Sequence, residues 1–361
     1  MIPHKIYSMA KKKVIFFLPK GIGGAQKTTI VISKFLSTDL YDIRYVVVGK
    51  MKERDMVYLI DNNSNIDYIN IINAWDLLTF KIIKVLRKYK PDIVFSSLMY
   101  LNVRVILAAK IVGNIKTIIR NDNMLNIMRY DNIFLLKLLY KKADVIIAQQ
   151  EEMKLDLVKG LNLDESKVMV IYNPIDKDYI LKNASLPSPY DEKDTIKYIW
   201  TGNFANSGSK GQDVLVKAFA IVKKKIPNSQ LYLLGSFDEK SDFFIKIKKI
   251  VSNNKLSDSV HFVGFQKNPY PWVKYADCFV LPSRIEGLPN ALVDAMFLSK
   301  PVVATTCIPM INRMVRNGYN GYLVPSEDYT SMADAMIKAL SLNKFDMIYH
   351  PSTDIDFISL F

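Results

Sequence analysis

The chain has few residues of the types that build metal centres or disulfide frameworks. Its 361 residues include only two cysteines and three histidines, all far apart in sequence. Neither Cys-x-x-Cys nor His-x-x-x-His spacing occurs, which argues against a zinc site, and two isolated cysteines do not form a disulfide framework. We therefore expect no metal, no cofactor and a reducing compartment.

Long apolar runs are also missing. Half of the residues are hydrophobic, yet no run approaches the roughly 18 apolar residues that a membrane-spanning helix needs. The first residues lack the apolar segment of a secretory signal peptide. These absences predict a cytoplasmic protein.

Acidic residues are too few to balance the basic ones. The formal net charge is +14, and +11 of it falls within residues 1–190. Such a surplus attracts an anionic membrane surface, a phosphorylated acceptor or nucleic acid, and simple solubility is the alternative. No zinc finger, RNA-binding aromatic signature or long basic run accompanies it, so we expect no nucleic-acid partner.

Two segments of the basic half, 80–88 and 134–142, mix apolar and basic residues. The commoner explanation is a helix with an apolar face on the core and a basic face in water. The functional alternative is peripheral docking on an anionic inner membrane leaflet, where each nearby Lys or Arg contributes about 1 kcal/mol.

Short apolar segments alternate with amphipathic segments of helical length along most of the chain. This alternation predicts parallel sheets wrapped by helices, an α/β fold. The length favours two domains, and a polar, proline-containing stretch interrupts the alternation. The predicted parts are an N-terminal domain over 1–175, a linker over 176–195, a C-terminal domain over 196–344 and a weakly defined tail over 345–361.

The segment 277–296 carries the clearest chemical signal. It predicts a buried strand, a loop containing Glu286, and a helix that starts at Pro289 and carries Asp294 in its second turn. A helix N-terminus has N–H groups to donate and a partial positive charge, so it favours an anion such as a diphosphate. Two carboxylates beside it could hold the hydroxyls of a sugar nucleotide. A capped amphipathic helix after a strand is the alternative.

Each half of the chain opens with a strand and a glycine-containing turn. In the first half Gly23 and Gly24 precede a helix, where glycine lets a ligand approach the backbone closely. The dinucleotide fingerprint is incomplete there, because Gln26 stands in place of its last glycine. In the second half Asn203 and Lys210 follow the strand, and a lysine in this place can neutralise a departing phosphate. A plain turn and a surface lysine are the alternatives.

Polar residues also follow the strand predicted near 116–119. Asp122 lies just beyond its carboxyl end, which is the edge where open α/β sheets bind ligands. We interpret Asp122 as a candidate for positioning an acceptor hydroxyl, with a polar loop as the alternative. Two Asp-x-Asp pairs, at 176–178 and 354–356, fall in the predicted linker and tail, and we interpret them as solvated carboxylates.

Together these motifs resemble those of the retaining glycosyltransferases of family 4 (group 1). Glu286 and Asp294 match the Glu-x7-Glu signature, with Asp in place of the second Glu. Lys210 matches the lysine of the Gly-Arg-Leu…Lys-Gly stretch, whereas Asn203 stands where the family has arginine. The turn at Gly23 and Gly24 is similar to the Gly-Gly-Ala-Glu loop.

The resemblance implies the GT-B arrangement, in which two Rossmann-like domains face an interdomain cleft. It implies metal-independent transfer, with retention, of a sugar from a nucleotide-sugar donor to a glycan or lipid-diphosphate-linked acceptor in surface polysaccharide assembly. Glu286 would hold the donor sugar, Asp294 the ribose and Lys210 the leaving diphosphate. The other donor-binding residues that the resemblance implies are Asn203, Gly235, Phe265, Gly287, Leu288 and Asn290.

Two other functions remain open on the same fold. A sugar-nucleotide epimerase would need acid and base groups but no acceptor. A catalytically weakened nucleotide-sugar-binding scaffold is suggested by Asn203, because an amide donates a hydrogen bond but carries no charge.

Overall fold

The computed structural model describes residues 10–19, 23–49, 60, 64–70, 78–125, 133–191, 194–342 and 347–361. The chain divides into two compact units. Unit 1 comprises residues 1–175 and 351–361, and unit 2 comprises residues 176–350. Each unit is built on one parallel sheet with helices between most successive strands, so the prediction of two Rossmann-like α/β domains is confirmed.

Unit 1 contains a seven-stranded sheet in the order β3-β2-β1-β4-β5-β6-β7. Its strands are β1 Lys12–Pro19, β2 Tyr41–Val48, β3 Asn65–Ile69, β4 Ile93–Ser97, β5 Lys116–Arg120, β6 Val145–Ala148 and β7 Val168–Val170. The helices between them are α1 Gly24–Lys34, α2 Leu78–Tyr89, α3 Met99–Val112, α4 Ile133–Tyr140 and α5 Glu151–Leu161.

Strand β1 runs through the centre of unit 1 and is buried on both faces. Val14, Phe16 and Leu18 belong to one apolar cluster, whereas Ile15 and Phe17 belong to another. Successive side chains of a strand point to opposite faces of the sheet, so both faces are covered. Helix α1 contributes to the first cluster, and α2 and α3 contribute to the second. A continuous apolar run is therefore the expected sequence of this strand.

Unit 2 contains a six-stranded sheet in the order β10-β9-β8-β11-β12-β13. Its strands are β8 Ile196–Thr201, β9 Ser229–Leu234, β10 Val260–Gly264, β11 Cys278–Leu281, β12 Val302–Thr305 and β13 Gly321–Val324. Its helices are α6 Lys177–Ala184, α7 Gln212–Lys225, α8 Asp242–Asn253, α9 Tyr270–Tyr275, α10 Asn290–Phe297, α11 Pro309–Met314 and α12 Tyr329–Ala339.

The prediction of a linker over 176–195 needs correction, because part of that segment is folded onto unit 2. Helix α6 occupies residues 177–184, and the Asp176 carboxylate caps it by accepting the Tyr179 N–H at 3.0 Å. Tyr190 packs edge-on against Trp272 and donates to its carbonyl oxygen at 2.7 Å. The first Asp-x-Asp pair is thus explained in part by helix capping.

Residues 351–361 of the predicted tail are folded, although their sequence gives only a weak signal. Residues 351–361 belong to unit 1 and include helix α13, Asp354–Ile358, which starts with a capping box between Thr353 and Asp356. Phe357 and Phe361 are buried in the first apolar cluster, where the Phe361 ring stacks on Phe16 at a centroid distance of 5.7 Å. Phe357, Leu360 and Phe361 supply this docking, and their short span gives little periodic signal.

Candidate active site

The strand order of unit 2 reverses between β8 and β11. The chain continues from β8 to β9 on one side and from β11 to β12 on the other. The loops at the carboxyl ends of two such strands diverge, and they leave a crevice that binds ligands in open α/β sheets. The loop after β8 carries Asn203 and Lys210, and the loop after β11 carries Glu286 and Gly287. The topology therefore brings together residues that lie more than 70 positions apart.

Lys210 and Glu286 form a direct ion pair at this crevice. The Lys210 Nζ lies 2.8 Å from Glu286 Oε1, and the Ser283 hydroxyl donates to the same oxygen at 2.6 Å. Glu286 is 8% exposed and Ser283 is fully buried, whereas the Lys210 side chain is 30% exposed. A buried carboxylate requires such partners, because an uncompensated charge in the interior is costly. The pair offers a cation and a carboxylate side by side to a ligand that carries both phosphate and hydroxyl groups.

A close backbone contact holds the two loops together. Gly211 follows Lys210 directly, precedes helix α7 and has a φ of +68°. A Cβ atom at this position would lie 1.9 Å from the carbonyl oxygen of Pro282. Only glycine permits both the backbone conformation and the approach. The Lys-Gly dipeptide is thus explained locally by the packing of one loop on the other.

The loops after β8, β9 and β10 also lie side by side. Gly235 follows β9, and a Cβ atom there would lie 1.6 Å from the carbonyl oxygen of Gly202 and 3.5 Å from the Asn203 nitrogen. The Gly235 N–H donates to the Gly264 carbonyl at 2.9 Å, which places the neighbouring residue Phe265 on the third loop. Asn203 is exposed and Phe265 is half-buried. Three of the predicted donor-binding residues therefore share one edge of the sheet.

Helix α10 begins one residue later than the sequence predicts. Pro289 occupies the cap position instead of the first helical position, and its carbonyl accepts the Leu292 and Val293 N–H groups at 3.0 and 3.2 Å. Assigned helix ends vary by a residue or two, so the difference is small. No side chain caps this end, and the half-buried Asn290 is the first helical residue.

The residues on either side of this helix start are largely buried. Gly287 and Leu288 are buried just before it, and Asp294 is 9% exposed in the second turn. The helix start therefore has carboxylates on both sides, from Glu286 in the loop and Asp294 in the helix.

The charges of Glu286 and Lys210 shift the thiol pKa of Cys307, which lies in the segment after β12. Burial and, to a smaller extent, the negative charge of Glu286 together raise the pKa of the Cys307 thiol to about 11, whereas the positive charge of Lys210 opposes the shift. The thiol is therefore protonated at neutral pH. A protonated thiol is a weak nucleophile, so this cysteine is a neutral neighbour of the ion pair.

Sequence reasoning missed three residues that organise this site, namely Ser283, Arg284 and Asp213. Ser283 orients Glu286, and Arg284 bonds to Asp213 through both of its Nη atoms. Their positions in the sequence could have indicated them, because Ser283 and Arg284 lie just before Glu286 and Asp213 follows Lys210 by three residues. Buried polar residues in such places require partners.

In unit 1 the Asp122 carboxylate is a hub of hydrogen bonds. Its Oδ2 accepts the Leu98 N–H at 2.6 Å and the Ser97 hydroxyl at 3.3 Å, from the end of β4. Its Oδ1 pairs with the buried Arg120 guanidinium and accepts the Gln149 amide at 3.5 Å. An ionised carboxylate has about four acceptor positions, and these donors use them. Asp122 therefore ties the ends of β4, β5 and β6 together, and its contact with an acceptor stays a prediction.

The glycine turn of unit 1 is described in part, because residues 20–22 lie outside the described residues. Gly23 is the cap residue of α1, and a Cβ atom there would lie 2.9 Å from Gln26 Oε1. Gly24 is the first helical residue. The buried Gln26 therefore packs against the turn, and a small residue at Gly23 accommodates it.

The described residues contain neither a metal-binding cluster nor a membrane-spanning helix. No group of three or more His, Cys, Asp and Glu side chains there is placed to hold a metal ion. Nor does that part of the chain contain a helix with the length and apolar character needed to cross a membrane.

Comparison with known families matches both units. Residues 22–179 match Glycosyltransferase Family 4, and residues 195–342 match the family described as Glycosyl transferases group 1. The second match contains the Lys210–Glu286 pair, and the first contains Gly23, Gly24 and Asp122.

Individual relatives agree with the family matches. An uncharacterized glycosyltransferase of Methanocaldococcus jannaschii is 34% identical over 245 residues, which is 63% of this chain and 59% of that relative. The Campylobacter jejuni N-acetylgalactosamine-N,N'-diacetylbacillosaminyl-diphospho-undecaprenol 4-alpha-N-acetylgalactosaminyltransferase is 24% identical, over 94% of this chain and 93% of its own. The crystal structure of Anabaena HepE with UDP and glucose has a TM-score of 0.76 at 18% identity, over 91% of this chain and 90% of that chain. At this low sequence identity, the similarity to HepE shows a shared fold and no more.

Proposed function

The chain belongs to the family 4, group 1 glycosyltransferases, and on that premise we propose that it moves a sugar from a nucleotide-sugar to a glycan or lipid-diphosphate-linked acceptor, with retention. The observation that carries the proposal is the ion pair of Lys210 with Glu286 at the switch point of the unit 2 sheet. Two printed names support the substrate classes. The solved structure of HepE contains UDP and glucose, and the C. jejuni relative is named for a diphospho-undecaprenol acceptor.

The ion pair would separate when the donor binds. The donor diphosphate would take the Lys210 ammonium, and the sugar hydroxyls would take the Glu286 carboxylate, which Ser283 keeps oriented. Each charge then exchanges one partner for another, so neither is left buried and uncompensated. As the bond from sugar to diphosphate breaks, negative charge grows on the leaving group. Lys210 would stabilise that charge more in the transition state than in the ground state.

The other donor contacts would come from loops at the same sheet edge. The start of α10, from Leu288 to Asn290, would add backbone N–H groups and a partial positive charge near the diphosphate. Asp294 would hold the ribose; it is about one methylene shorter than Glu, so the contact would be longer or bridged by water. Asn203, Gly235 and Phe265, on the three adjacent loops, would face the nucleotide. In this proposal the positive charge of Lys210 and of the helix start would stabilise the leaving group without a metal ion.

Unit 1 would bind the acceptor. Its residues 1–175 and 351–361 carry 27 Lys and Arg against 18 Asp and Glu, a net charge of +9, which favours an acceptor with phosphate or diphosphate groups. Gly23 and Gly24 at the start of α1 would approach such a group through the backbone. Asp122 would contact an acceptor hydroxyl only by giving up one of its present donors.

We also propose that unit 1 docks on an anionic membrane surface at the inner leaflet. Helix α4 exposes Ile133, Phe134 and Leu138, which are 58%, 74% and 47% exposed, and Lys141 and Lys142 are exposed just beyond its end. Helix α3 packs beside α4 and adds further exposed apolar residues, Leu107 and Ile111. An apolar surface with adjacent lysines is complementary to acyl chains below anionic headgroups. This surface would bring a lipid-linked acceptor to the enzyme and suits surface polysaccharide assembly.

The proposed function is tested by nucleotide release from a panel of UDP-, GDP- and dTDP-sugars, with and without undecaprenyl-diphosphate-linked glycans. We expect one donor to give acceptor-dependent release in the wild-type chain and none in Glu286→Gln, which keeps the shape and removes the charge. Donor binding without turnover of any acceptor would favour the weakened scaffold, for which the neutral, exposed Asn203 is the structural argument. Release by Glu286→Gln at the wild-type rate would contradict the role of Glu286.

A further inference from the structure

One guanidinium group joins three loops at the carboxyl edge of the unit 2 sheet. Arg284 lies in the loop after β11, and its Nη1 donates to the Gly208 carbonyl at 2.5 Å and to Asp213 Oδ1 at 2.8 Å. Its Nη2 donates to Asp213 Oδ2 at 3.2 Å and to Glu327 Oε2 at 2.9 Å, and its Nε donates to the other oxygen of Glu327. Gly208 belongs to the loop after β8, and Glu327 belongs to the loop after β13. All five N–H donors of the guanidinium take part in this linkage, and the ammonium group of a lysine has neither their number nor their planar arrangement.

The same contacts bracket Lys210 on both sides. The Arg284 side chain holds the carbonyl of Gly208, and its backbone N–H donates to the Ser209 carbonyl at 2.8 Å. On the other side, Gly211 lies against the Pro282 carbonyl. The residues immediately before and after Lys210 are therefore fixed to the segment 282–284. Lys210 points from this fixed stretch to Glu286, which lies two residues beyond Arg284.

The charges of this network are strongly coupled. Burial alone would raise the pKa of the Asp213 carboxyl, but hydrogen bonds from Arg284 and Lys246 outweigh burial and lower that pKa. Hydrogen bonding to Glu327 raises the pKa of Arg284. Asp213 is 2% exposed, and the lowered pKa keeps this buried carboxylate ionised at neutral pH.

The Glu327 backbone gives a second sign that the linkage is specific. Its φ is +69°, a left-handed conformation that residues other than glycine adopt at an energetic cost. Its carboxylate binds Arg284 through both oxygens. The loop after β13 is therefore kept in an unfavourable conformation that aims this carboxylate at Arg284.

We propose that Arg284 is a positioning residue for the donor site, because it fixes the backbone that carries Lys210 and keeps Lys210 within reach of Glu286. This inference rests on the proposed function, which makes Lys210 and Glu286 the donor-handling pair. When the pair separates on donor binding, the two loops lose their direct link. Arg284 then maintains the geometry by which Lys210 meets the diphosphate.

The test is a double-mutant cycle on nucleoside diphosphate binding. UDP, GDP, ADP and dTDP are titrated calorimetrically into the wild-type chain, and the tightest ligand serves as the probe. Charge-assisted contacts of this type correspond to about a tenfold or larger change in Kd. We expect Lys210→Met and Arg284→Lys each to weaken binding by about tenfold or more. The double variant should be scarcely weaker than either single variant, because Arg284 acts through Lys210.

Local mobility gives a readout that does not depend on the ligand. In Arg284→Lys we expect faster backbone hydrogen exchange over residues 207–213 with little change in Tm. Asp213→Asn removes the carboxylate between Arg284 and Lys246 and should give the same pattern. It serves as the second test of the network should Arg284→Lys fold poorly. Lys225→Ala is the matched control, because it breaks an exposed ion pair with Asp334 at 3.0 Å, and it should leave both binding and exchange unchanged.

The outcomes separate the two proposals. Additive losses in the cycle, or unchanged exchange over 207–213, would overturn the positioning role and leave the donor site in place. If Lys210→Met weakens binding and Arg284→Lys does not, the positioning role alone is wrong. If no nucleoside diphosphate binds the wild-type chain, or if Lys210→Met binds it normally, the donor assignment falls and the positioning role falls with it.

Discussion

Gly211 and Pro282 approach so closely that a Cβ atom on Gly211 would lie 1.9 Å from the Pro282 carbonyl oxygen. This contact joins the loop that carries Lys210 to the loop that carries Glu286. It also shows why a glycine follows the lysine, because the backbone at this position has a φ of +68°. The two loops can pack this closely, and hold Lys210 beside Glu286, because Gly211 has no Cβ atom.

Gly211→Ala should lower both stability and activity. The left-handed φ costs about 1–2 kcal/mol for alanine, and the clash with a backbone oxygen must add to that cost because the loop has to move. Gly318→Ala is a matched control: its φ is +75°, but a Cβ atom there meets nothing within 4 Å. Urea unfolding followed by tryptophan fluorescence measures the stability of both variants. Equal losses in the two variants would contradict the close approach.

Lys210→Ala should lower kcat more than it raises KM. The charge on the diphosphate builds in the transition state, so we expect a loss of about 2–4 kcal/mol, by analogy with removal of an oxyanion donor. Steady-state kinetics with the true donor measures it. An increase in KM at unchanged kcat would instead indicate uniform binding.

Asn203→Arg is a companion to the lysine variant. Asn203 is exposed on the loop after β8, where a guanidinium would bring a second positive charge toward the donor. Increased kcat would mean that the asparagine limits the natural activity. Reduced kcat would mean that the loop is built around the smaller side chain.

Transfer should continue after chelation. Leaving-group charge is stabilised in our proposal by Lys210 and the start of α10, and the Asp-x-Asp residues Asp176 and Asp356 are engaged in helix capping. Dialysis against EDTA should leave kcat within about twofold of its starting value. Loss of turnover that is restored by Mg²⁺ or Mn²⁺ would disprove the metal-independent mechanism.

Cys307 should report on the charge of Glu286. Its thiol pKa is raised to about 11 by burial and by the Glu286 carboxylate, so the thiolate fraction is small at pH 8 and alkylation by iodoacetamide should be slow. Removing the negative charge in Glu286→Gln should lower this pKa and speed alkylation. Lys210→Met should have the opposite effect, because the lysine charge lowers the pKa. Mass spectrometry of Cys307 peptides over time measures both, and equal rates in all variants would refute the proximity.

Anionic vesicles should bind the chain in a salt-sensitive way. Exposed Phe134 and Leu138 supply apolar contact, and Lys141 and Lys142 supply charge. We expect co-sedimentation with phosphatidylglycerol vesicles at low salt, and weaker binding with phosphatidylcholine vesicles or in Phe134→Ser. Equal recovery with both lipids at every salt concentration would contradict membrane docking. Self-association that Phe134→Ser abolishes would assign the surface to a second copy of the chain.

The sequence predicts the central strands well because they depend on local patterns, and the site residues are inferred from local patterns of the same kind. Strand β1 reads as a continuous apolar run, and buried parallel strands require one. Lys210 and Glu286 were each predicted from their own loops. Their 2.8 Å contact follows from the strand order, which a single sequence without alignment does not give.

The elements that the sequence missed are those whose signal is weak or distant. Strand β3, Asn65–Ile69, has exposed and half-buried residues at the edge of its sheet, so it lacks a clear apolar pattern. Helix α6 has a low content of apolar residues and only two buried side chains, Ile180 and Ala184. The Arg284 network joins residues from three separate loops, and such long-range pairing of charges leaves no periodic trace in the sequence.

The docking of residues 351–361 onto unit 1 determines the order in which the two units can be completed during synthesis. Phe357 and Phe361 fill the same apolar cluster as Phe16, yet they are translated after all of unit 2. At about 5–20 residues per second, unit 1 waits on the order of tens of seconds for them on the ribosome. During that interval the apolar cluster of unit 1 lacks Phe357 and Phe361. The unit made first is therefore the one completed last.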